Sequence, residues 1–514
     1  MIAKTFSATV LGIDAHLIEV EVDVSVGMSV FNIVGLPDGT IKESRDRILS
    51  AINNSGFSFP VRKIVVNLAP APLRKIGSGF DLPIALALLG TMGIFPPENL
   101  SRAMVVGELS LDGEIRPVRG VLPVAIATRE HKLEHLILPK ANDAEAAVVD
   151  SIKRVPVSTL FEVVQFLCGD LEIKPIEYDP QSIFTQEQNY EEDFQDVKGQ
   201  EHVKRALEVA AAGSHNLLML GPPGSGKTML ARRMSTILPE LSFDEALECT
   251  KIHSIAGLLP SGAALIARRP FRFPHHTISQ GGLVGGGSIP GPGEISLSHN
   301  GVLFLDEFPE FPRATLELLR QPLEDGRLTI SRAAMSLEFP CSFMLLASMN
   351  PCPCGYHGAP SGQGENRREC NCAPQQIQKY RSKISGPLLD RIDLHLTVPA
   401  VEYDKLAEKR QGESSGTIRG RVVQARQIQQ KRFRNSSTRN NAGMTRRELN
   451  MYSEPSDDSR KLLEQAMTRM GLSARAHDRI LKVARTIADL ADSMNVETQH
   501  VAEAIQYRNL DRPI

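Results

Sequence analysis

The sequence predicts three folded parts in order: an α+β domain, an α/β domain built on a parallel sheet, and a small all-helical domain. At 514 residues the chain is too long for one hydrophobic core, since a domain usually holds about 150 residues. Strand-like and helix-like stretches are mixed in residues 5–171, strands alternate with helices after residue 197, and the strand pattern ends near residue 400.

The first part, residues 1–173, contains both strand-like and helix-like runs. Its strand-like runs cover residues 17–24, 63–68 and 104–109, and its helix-like runs cover residues 41–55, 82–92 and 121–130. Residues 174–196 are predicted to be an acidic linker, because they contain Pro175 and Pro180 and have no apolar period to bury. The second part then spans residues 197–400, and the third spans residues 401–514.

The overall composition is that of an ordinary globular protein. With 58 Lys and Arg against 60 Asp and Glu, the net charge indicates no particular partner. No apolar run approaches the ~18 residues that a membrane span needs, and residues 1–10 lack the charged-then-apolar order of a secretory signal. We therefore expect a cytoplasmic protein without a membrane partner.

The second and third parts differ in their periodicity. Residues 216–220, 302–305 and 343–348 are short apolar runs of the kind that form buried parallel strands. Residues 475–494 instead carry apolar side chains at helical spacing, which is typical of an amphipathic helix. A parallel sheet flanked by helices, closed by a helical domain, is the predicted arrangement.

A glycine-rich segment follows the first of these strands and precedes a helix-like run at residues 229–238. It matches the Walker A pattern in the context that the pattern requires, and it reads Gly221, Pro222, Pro223, Gly224, Ser225, Gly226, Lys227, Thr228. Its glycines let backbone N–H groups face the phosphates of ATP, and the helix N-terminus adds partial positive charge. Lys227 is predicted to reach the β- and γ-phosphates, and Thr228 to bind Mg²⁺.

A second motif, at residues 301–307, matches the Walker B pattern. An apolar strand there runs directly into two carboxylates, Asp306 and Glu307. Asp306 is predicted to hold the metal, and Glu307 to act as the general base that polarises the attacking water. The two motifs together predict a domain that binds ATP and Mg²⁺ and hydrolyses the nucleotide.

Four segments together resemble the magnesium-chelatase-like AAA+ ATPases of the YifB/ComM type, and the resemblance covers nearly the whole chain. They are residues 221–228, 301–307, 348–355 and 386–393. The resemblance implies an α/β P-loop AAA+ module with a C-terminal helical lid. It also implies a homo-oligomer, with a hexameric ring as the expected form.

The same resemblance gives roles to further residues. Asn350 matches sensor 1, which helps to hold the attacking water, although an asparagine before Pro351 could also simply end a strand. Arg391 matches the arginine finger that related ring ATPases insert into the neighbouring subunit's site. Arg475 matches sensor 2 in the helical lid, with Arg479 one turn later as the alternative.

Two further segments resemble insertions that project into the central pore of related motors. The first covers residues 272–293, and the second, at residues 327–339, resembles a hairpin. His275 and His276 in the first insertion could contact a substrate, but adjacent loop histidines are more often plain polar surface. A zinc site made by these two alone would lack the four ligands that structural zinc requires.

Residues 5–171 resemble the proteolytic domain of Lon-type proteases, which has the ribosomal S5 domain 2-like fold, chiefly at residues 77–84 and 106–118. Asp81 stands where the protease has its nucleophilic serine, and residues 120–125 lack the lysine base. Ser78 could be the nucleophile in an offset alignment, but no lysine matches it. Without a nucleophile and a base, acyl transfer has no mechanism. We therefore predict a non-catalytic scaffold or interaction module.

Four of the seven cysteines lie in the loop at residues 351–373. They are Cys352, Cys354, Cys370 and Cys372. Four thiolates in one loop could hold Zn²⁺ in a tetrahedral site, and His357 could replace one ligand. The alternative is a loop with reduced thiols, because the spacing is Cys-x-Cys rather than the familiar Cys-x-x-Cys.

A basic stretch lies in the predicted lid, with 12 Lys or Arg against two Glu between Lys405 and Arg447. Such a strip could follow a phosphate backbone, or it could be a solvated helix face. Since no base-reading motif accompanies it, any binding to DNA is expected to be independent of base sequence.

The family resemblance implies a motor that acts on DNA in recombination or natural transformation. A magnesium-chelatase motor subunit that drives a protein partner is the alternative. An ATP-dependent protease is disfavoured by Asp81, and a nucleotide-gated assembly switch with little turnover is disfavoured by Glu307 and Arg391.

Overall fold

The computed structural model describes residues 2–177, 190–260, 262–287, 290–332, 335–358, 369–400 and 412–508. Residues 178–189, which form most of the predicted linker, lie outside this range, as do residues 359–368 of the cysteine loop. Phe194, predicted to belong to the linker, is buried in the core of the second domain. Helices and strands are numbered below in chain order.

The N-terminal domain is built on a seven-stranded mixed sheet with a separate two-stranded ribbon. Its strands are β1 (Ile2–Leu11), β2 (Asp14–Ser25), β3 (Val30–Val34), β4 (Lys63–Ala69), β5 (Ala103–Val105), β6 (Glu108–Leu109), β7 (Ile115–Arg116), β8 (His135–Pro139) and β9 (Lys153–Val157). The order in the sheet is β3-β4-β2-β1-β5-β8-β9. Within this sheet the β1–β2 and β2–β4 pairs are antiparallel and the other pairs are parallel, and β6 and β7 form the separate antiparallel ribbon.

The helices of this domain are α1 (Gly39–Lys42), α2 (Ser44–Asn54), α3 (Asp81–Thr91), α4 (Val121–Glu130), α5 (Asp143–Ala146) and α6 (Leu160–Cys168). α3 is apolar on nearly all sides and is therefore buried against the sheet. The strand predicted at residues 104–109 is broken, because Gly107 turns its backbone to pair with Gly79 and Leu82 at the start of α3. The helix predicted at residues 41–55 is interrupted at Glu43.

The second domain contains a five-stranded sheet in which every pair is parallel, in the order β11-β14-β17-β10-β18. The strands of this domain are β10 (Leu217–Leu220), β11 (Phe271–Arg272), β12 (Gly285–Gly286), β13 (Gly291–Pro292), β14 (Val302–Leu305), β15 (Arg327–Arg332), β16 (Met335–Pro340), β17 (Met344–Met349) and β18 (Leu394–Thr397). Helices cover both faces of this sheet, so both faces of its central strands are buried. This explains why these strands are continuous apolar runs in the sequence. β15 and β16 form the predicted antiparallel hairpin.

The helices of the second domain are α7 (Glu201–Gly213), α8 (Lys227–Ile237), α9 (Phe243–Ala256), α10 (Gln280–Val284), α11 (Glu294–Leu297), α12 (Arg313–Glu317), α13 (Arg320–Asp325), α14 (Pro374–Arg381) and α15 (Gly386–Leu389). The C-terminal helices are α16 (Ser415–Arg432), α17 (Arg446–Tyr452), α18 (Asp457–Met470), α19 (Ala474–Leu490) and α20 (Thr498–Gln506). α19 ends before the predicted residue 494, because Asp492 adopts φ 51° and Arg485 binds the carbonyls of Ser493 and Met494.

One hydrophobic cluster runs from the parallel sheet into the C-terminal helices. Ile418 and Val422 of α16 and Ile480 of α19 are buried in the same cluster as Leu217 of β10. A different cluster joins α4 of the N-terminal domain to α9 of the second domain. The second domain therefore packs against the helical domain through one cluster and against the α+β domain through another.

Candidate nucleotide site

The glycine-rich segment leaves β10 at the carboxyl edge of the parallel sheet and leads into α8. Gly224 and Gly226 have φ values of 75° and 84°, a left-handed conformation that glycine adopts without strain. A Cβ atom at Gly221 would lie 2.2 Å from the carbonyl oxygen of Val398, so this position has no room for a side chain. The Oγ of buried Ser225 has no hydrogen-bond partner among the described residues, which leaves a polar atom for a ligand.

Lys227 stands at the first turn of α8 and is buried in this loop. Its Nζ donates to the carbonyls of Gly221 and Pro222 at 2.8 and 2.9 Å, and it lies 3.4 Å from Oδ1 of Asn350. Burial lowers the pKa of the Lys227 ammonium, while the negative charges of Asp306 and Glu307 oppose that shift. The ammonium is thus held at the loop by its carbonyl partners.

The residues predicted to bind Mg²⁺ lie in direct contact. The hydroxyl of Thr228 donates to Oδ2 of Asp306 at 2.7 Å, and the hydroxyl of Ser348 donates to the other carboxylate oxygen. Hydroxyl and carboxylate oxygens are the hard ligands that Mg²⁺ prefers, so these side chains fit that ion. Ser348 had no predicted role, and only the pairing of β14 with β17 brings it to Asp306.

Glu307 follows Asp306 at the end of β14 and adopts a left-handed backbone, with φ 52°. Its N–H donates to Oδ1 of Asp306 at 3.0 Å. Its Oε2 lies 3.2 Å from Nδ1 of His276, a contact that the sequence did not predict. Glu307 and Asn350 therefore lie at the same sheet edge as Lys227, the arrangement that hydrolysis of a bound nucleotide requires.

Two side chains outside the predicted motifs brace this site. Gln200, at the start of α7, donates from Nε2 to the carbonyls of Ser225 and Pro399 at 3.1 and 2.9 Å. Tyr380 of α14 is hydrogen bonded to the backbone of Asn350, and burial raises the pKa of its phenol to about 12. No local sequence signal marks either residue, because each acts across a long sequence separation.

The three predicted arginines lie away from this edge. The guanidinium of Arg391 is 2.5 Å from Oε1 of Glu324, and its side chain is only 6% exposed. Arg475 is exposed at the start of α19, and its charge contributes to lowering the pKa of the same Glu324 carboxyl. Arg479 instead forms a 2.5 Å ion pair with buried Asp393.

The location of Arg391 is set by Asn216, which precedes β10. The side-chain amide of Asn216 donates to the carbonyl of Arg391 at 3.1 Å, and its N–H donates to Asp393 at 2.9 Å. Asn216 is at the amino end of the strand whose carboxyl end carries Gly221. Arg391 therefore lies at the amino edge of the sheet, opposite the nucleotide loop of its own chain.

The cysteine loop contacts the nucleotide site. The Sγ atoms of Cys352, Cys354, Cys370 and Cys372 all lie within 4.8 Å of one another. The Sγ of Cys352 is 3.3 Å from that of Cys354 and 3.7 Å from that of Cys370. A tetrahedral zinc with bonds of about 2.3 Å needs sulfur atoms about 3.8 Å apart, so these four side chains fit the ion.

The loop that carries these thiols also packs against the nucleotide loop. The N–H of Tyr356 donates to Cys354 and, with the neighbouring thiols, lowers the pKa of Cys354 to about 6. His357 contacts the cluster through its backbone, since its N–H donates to Sγ of Cys352. The group of possible metal ligands consists of the four cysteines. A Cβ at Gly355 would lie 2.6 Å from Cδ of Pro223.

The residues predicted to stand at the Lon-type catalytic positions form polar pairs. Asp81 is buried, and its carboxylate accepts from Nε and Nη2 of Arg47 at 2.7 and 3.0 Å. Burial raises the pKa of Asp81 to about 6 despite this partner. The hydroxyl of Ser78 donates to Glu108 rather than to a lysine.

The basic stretch of the helical domain is largely used for internal contacts. Arg421 pairs with Glu208 and Glu413, and Arg426 donates to the carbonyl of Ala211 at 2.8 Å. Arg432 pairs with Asp489 at 2.6 Å. These three arginines therefore attach α16 to its neighbours, and binding of the basic stretch to a phosphate backbone stays a prediction. Lys431, Arg434, Arg446 and Arg447 remain exposed.

A Walker loop and paired carboxylates at the carboxyl edge of a parallel five-stranded sheet, followed by a helical domain, define an ATPase motor of the AAA+ class. Three family models match this chain. They are described as magnesium chelatase, subunit ChlI, at residues 193–406; subunit ChlI of Mg-chelatase, at residues 20–142; and magnesium chelatase, subunit ChlI C-terminal, at residues 412–508.

Similar proteins match the chain from end to end. Competence protein ComM of Haemophilus influenzae is 43% identical over 515 residues, which is 99% of this chain and 98% of the relative. The protein YifB of Salmonella typhimurium is 43% identical over 514 residues, with the same shares. The magnesium-chelatase 38 kDa subunit of Rhodobacter capsulatus is 27% identical over 177 residues, or 31% of this chain and 50% of the relative.

The chain belongs to the magnesium-chelatase-like AAA+ family, in its ComM/YifB branch. Membership in this family implies the use of ATP and Mg²⁺, and AAA+ proteins are generally oligomeric. Within the part of the chain that the structure describes, no helix combines the length and the apolar character that crossing a membrane would take.

Proposed function

We propose that this protein hydrolyses ATP between neighbouring subunits of a ring, most simply a hexamer, and uses the energy to remodel DNA. One observation carries the proposal for the ring. Lys227 and Glu307 lie at the carboxyl edge of the sheet, whereas Arg391 lies at its amino edge. A second copy is needed to bring an arginine to the phosphates.

Each residue of the site then has a chemical task. Lys227 releases the loop carbonyls and binds the phosphates, while Thr228 and Asp306 hold Mg²⁺, which neutralises charge on the β- and γ-oxygens when bound. Glu307 accepts a proton from the attacking water, and Asn350 orients that water. The arginine of the neighbouring chain stabilises the charge that develops on the transferring phosphoryl group.

DNA is the proposed substrate, supported by the likeness to a competence protein and by the positive charge that stays exposed. Lys431, Arg434, Arg446 and Arg447 are open to solvent on the helical domain. Contacts of this kind neutralise phosphates without reading bases, so binding should weaken steeply as the salt concentration rises. The N-terminal domain acts as a scaffold in this proposal.

The test is ATP hydrolysis by the purified protein with single-stranded, duplex and four-way-junction DNA, with Glu307→Gln as the inactive control. Stimulation by DNA that disappears in the variant supports the DNA motor, and strand displacement and branch migration are then the assays to follow. Hydrolysis that no DNA changes would refute DNA as the substrate while retaining the motor.

A protein partner, as in a chelatase motor, is the second candidate function. The contacts of Arg421, Arg426 and Arg432 favour it, because these arginines attach α16 to α7 and α19 and so are engaged within the chain. The magnesium-chelatase descriptions of the matching family models favour it as well. The same assay separates the two candidates, since this one requires hydrolysis that is indifferent to DNA.

We further propose that Cys352, Cys354, Cys370 and Cys372 bind one Zn²⁺ per chain. The support is the mutual separation of their sulfur atoms. Metal analysis of the purified protein should find one zinc per chain, and Cys354→Ser should lose most of it. A metal-free protein that binds no added zinc would refute this assignment.

A further inference from the structure

The turn between β1 and β2 of the N-terminal domain reaches the β15–β16 hairpin of the second domain. Leu11 pairs with Asp14, so Gly12 and Ile13 form a two-residue turn, and Gly12 adopts φ 66°, as the first position of such a turn allows for glycine. A Cβ atom at Gly12 would lie 3.4 Å from the carbonyl oxygen of Glu338 in β16. The turn therefore lies directly against the backbone of the hairpin.

The side chain of Ile13 packs on the hydrophobic cluster to which the hairpin belongs. This cluster includes Leu328 and Ile330 of β15 and Phe339 of β16, which are buried, and Ile13 lies half-buried against it. Tight turns favour Gly, Asn, Asp and Ser, so an isoleucine at this position needs a physical reason. Its apolar contact with another domain supplies that reason.

The N-terminal domain that carries this turn is attached to the second domain at a separate place. Its helix α4 shares a buried cluster with α9, and the cluster includes Val121 and Cys249. Beside this cluster the buried carboxylate of Glu145 accepts hydrogen bonds from the N–H of Leu122 and from the hydroxyl of Ser254 in α9. Because the domain is held at α9, its turn can act as a fixed support for the hairpin.

The hairpin leaves the parallel sheet at the edge opposite the nucleotide loop. β16 ends at Pro340 and β17 begins at Met344, so the base of the hairpin lies at the amino end of the strand whose carboxyl end leads to Asn350. The N–H of Cys341 donates to the carbonyl of Gly326 at 2.9 Å and closes this base. Loss of the turn contact should therefore affect the hairpin and leave the nucleotide loop unchanged.

We propose that Ile13 is a positioning residue through which the N-terminal domain supports the β15–β16 hairpin and holds it where the substrate meets it. The statement about the substrate rests on the proposed function, because it takes DNA as the ligand of the hairpin. The support itself is a property of the free protein. In this role the N-terminal domain determines how readily DNA stimulates hydrolysis, without a contact to the nucleotide.

Hydrogen–deuterium exchange of the free protein tests the support without DNA or ATP. Ile13→Ala and Ile13→Asp should speed amide exchange in β15 and β16 about tenfold, because partial burial of an isoleucine is worth about that factor in an equilibrium. Val26→Ala and Val26→Asp are the matched controls, since Val26 belongs to the same domain and is 92% exposed. They should leave exchange in the hairpin unchanged.

Exchange in the rest of the N-terminal domain shows whether the effect is specific. Unchanged exchange in α2 and α3, together with faster exchange in the hairpin, supports the proposal. Unchanged exchange in the hairpin of both Ile13 variants overturns it. Faster exchange throughout the N-terminal domain of both variants would mean that Ile13 stabilises its own domain, which also overturns the proposal.

ATP hydrolysis titrated with single-stranded DNA tests the consequence for the substrate. The Ile13 variants should need about tenfold more DNA for half-maximal stimulation at an unchanged basal rate, and the Val26 variants should behave as the wild type. A changed basal rate with an unchanged dependence on DNA would contradict the positioning role. If DNA does not stimulate the wild type, the proposed function fails, and faster exchange in the hairpin of the Ile13 variants would still establish the support.

Discussion

If Arg391 acts on the neighbouring subunit's nucleotide, two inactive variants should complement each other. Arg391 lies against Asn216, and five residues of extended chain separate Asn216 from Gly221, which is about 16 Å at about 3.3 Å per residue. Its side chain cannot span that distance to its own phosphates. Arg391→Ala alone should lower kcat about a thousandfold or more, as should Lys227→Ala.

In rings assembled from equal amounts of the two variants, an active interface needs an intact loop on one side and an intact arginine on the other. Random assembly makes about one quarter of the interfaces complete, so the mixture should recover about one quarter of the wild-type rate. The two variants are co-expressed with different tags, purified by both tags in succession, and assayed for ATP hydrolysis.

Arg460→Ala is the matched control, because it removes an exposed lid arginine whose ion pairs are 3.7 to 3.8 Å long. It should be active alone, and placing it in the same chain as Arg391→Ala or Lys227→Ala should leave that variant inactive. A doubly tagged mixture no faster than its two components would refute the shared site, because an arginine that acts within its own chain cannot be complemented.

Three more predictions concern the metal and the stability of the fold. Cys352→Ser should weaken ATP binding about tenfold, because the cysteine loop packs on Pro223 of the nucleotide loop. Titration with a fluorescent nucleotide tests this, with Cys168→Ser as the control. An unchanged affinity in Cys352→Ser would contradict the prediction. Asp393→Asn should lower the free energy of unfolding by about 3 to 5 kcal/mol, because it leaves the Arg479 guanidinium without its buried partner. A change of under about 1 kcal/mol in urea unfolding would argue against this. Burial and the charge of Arg508 hold the pKa of His395 well below 6.5, so the unfolded chain alone takes up that proton below this pH. This contribution to the free energy of unfolding should therefore be fully present above about pH 6.5 and should fall by about 1.4 kcal/mol per pH unit below it. Urea unfolding of His395→Gln should show a weaker dependence on pH than the wild type. An unchanged dependence would mean that another group causes it.

The nucleotide loop could be predicted from sequence because its chemistry is local. Lys227 and Thr228 follow a strand and start a helix, and Asp306 ends a strand, so neighbouring residues determine how each side chain is presented. The parallel order of β10, β14 and β17 then brings their carboxyl ends to one edge. The cysteine cluster was predictable in the same way, since all four thiols belong to one loop.

Charge patterns were less informative, because they do not say what lies opposite. The arginines of α16 have the spacing of an exposed basic strip, yet Arg421 meets Glu208 and Arg432 meets Asp489. These partners are far away in sequence, and only the packing of α16 on α7 and α19 reveals them. A helical period predicts which residues share a face, and the fold decides whether that face meets water or protein.

The sequence by itself determined the family, the nucleotide loop and the two carboxylates, because motifs that bind phosphate and metal depend on residues close together in the chain. The tertiary structure decided which distant groups act on them. It placed Ser348 on Asp306, Gln200 on the nucleotide loop and His276 on Glu307, and it separated Arg391 from the site of its own chain. Each of these relations depends on strand order or on the return of a loop, and these arise from packing across the whole domain.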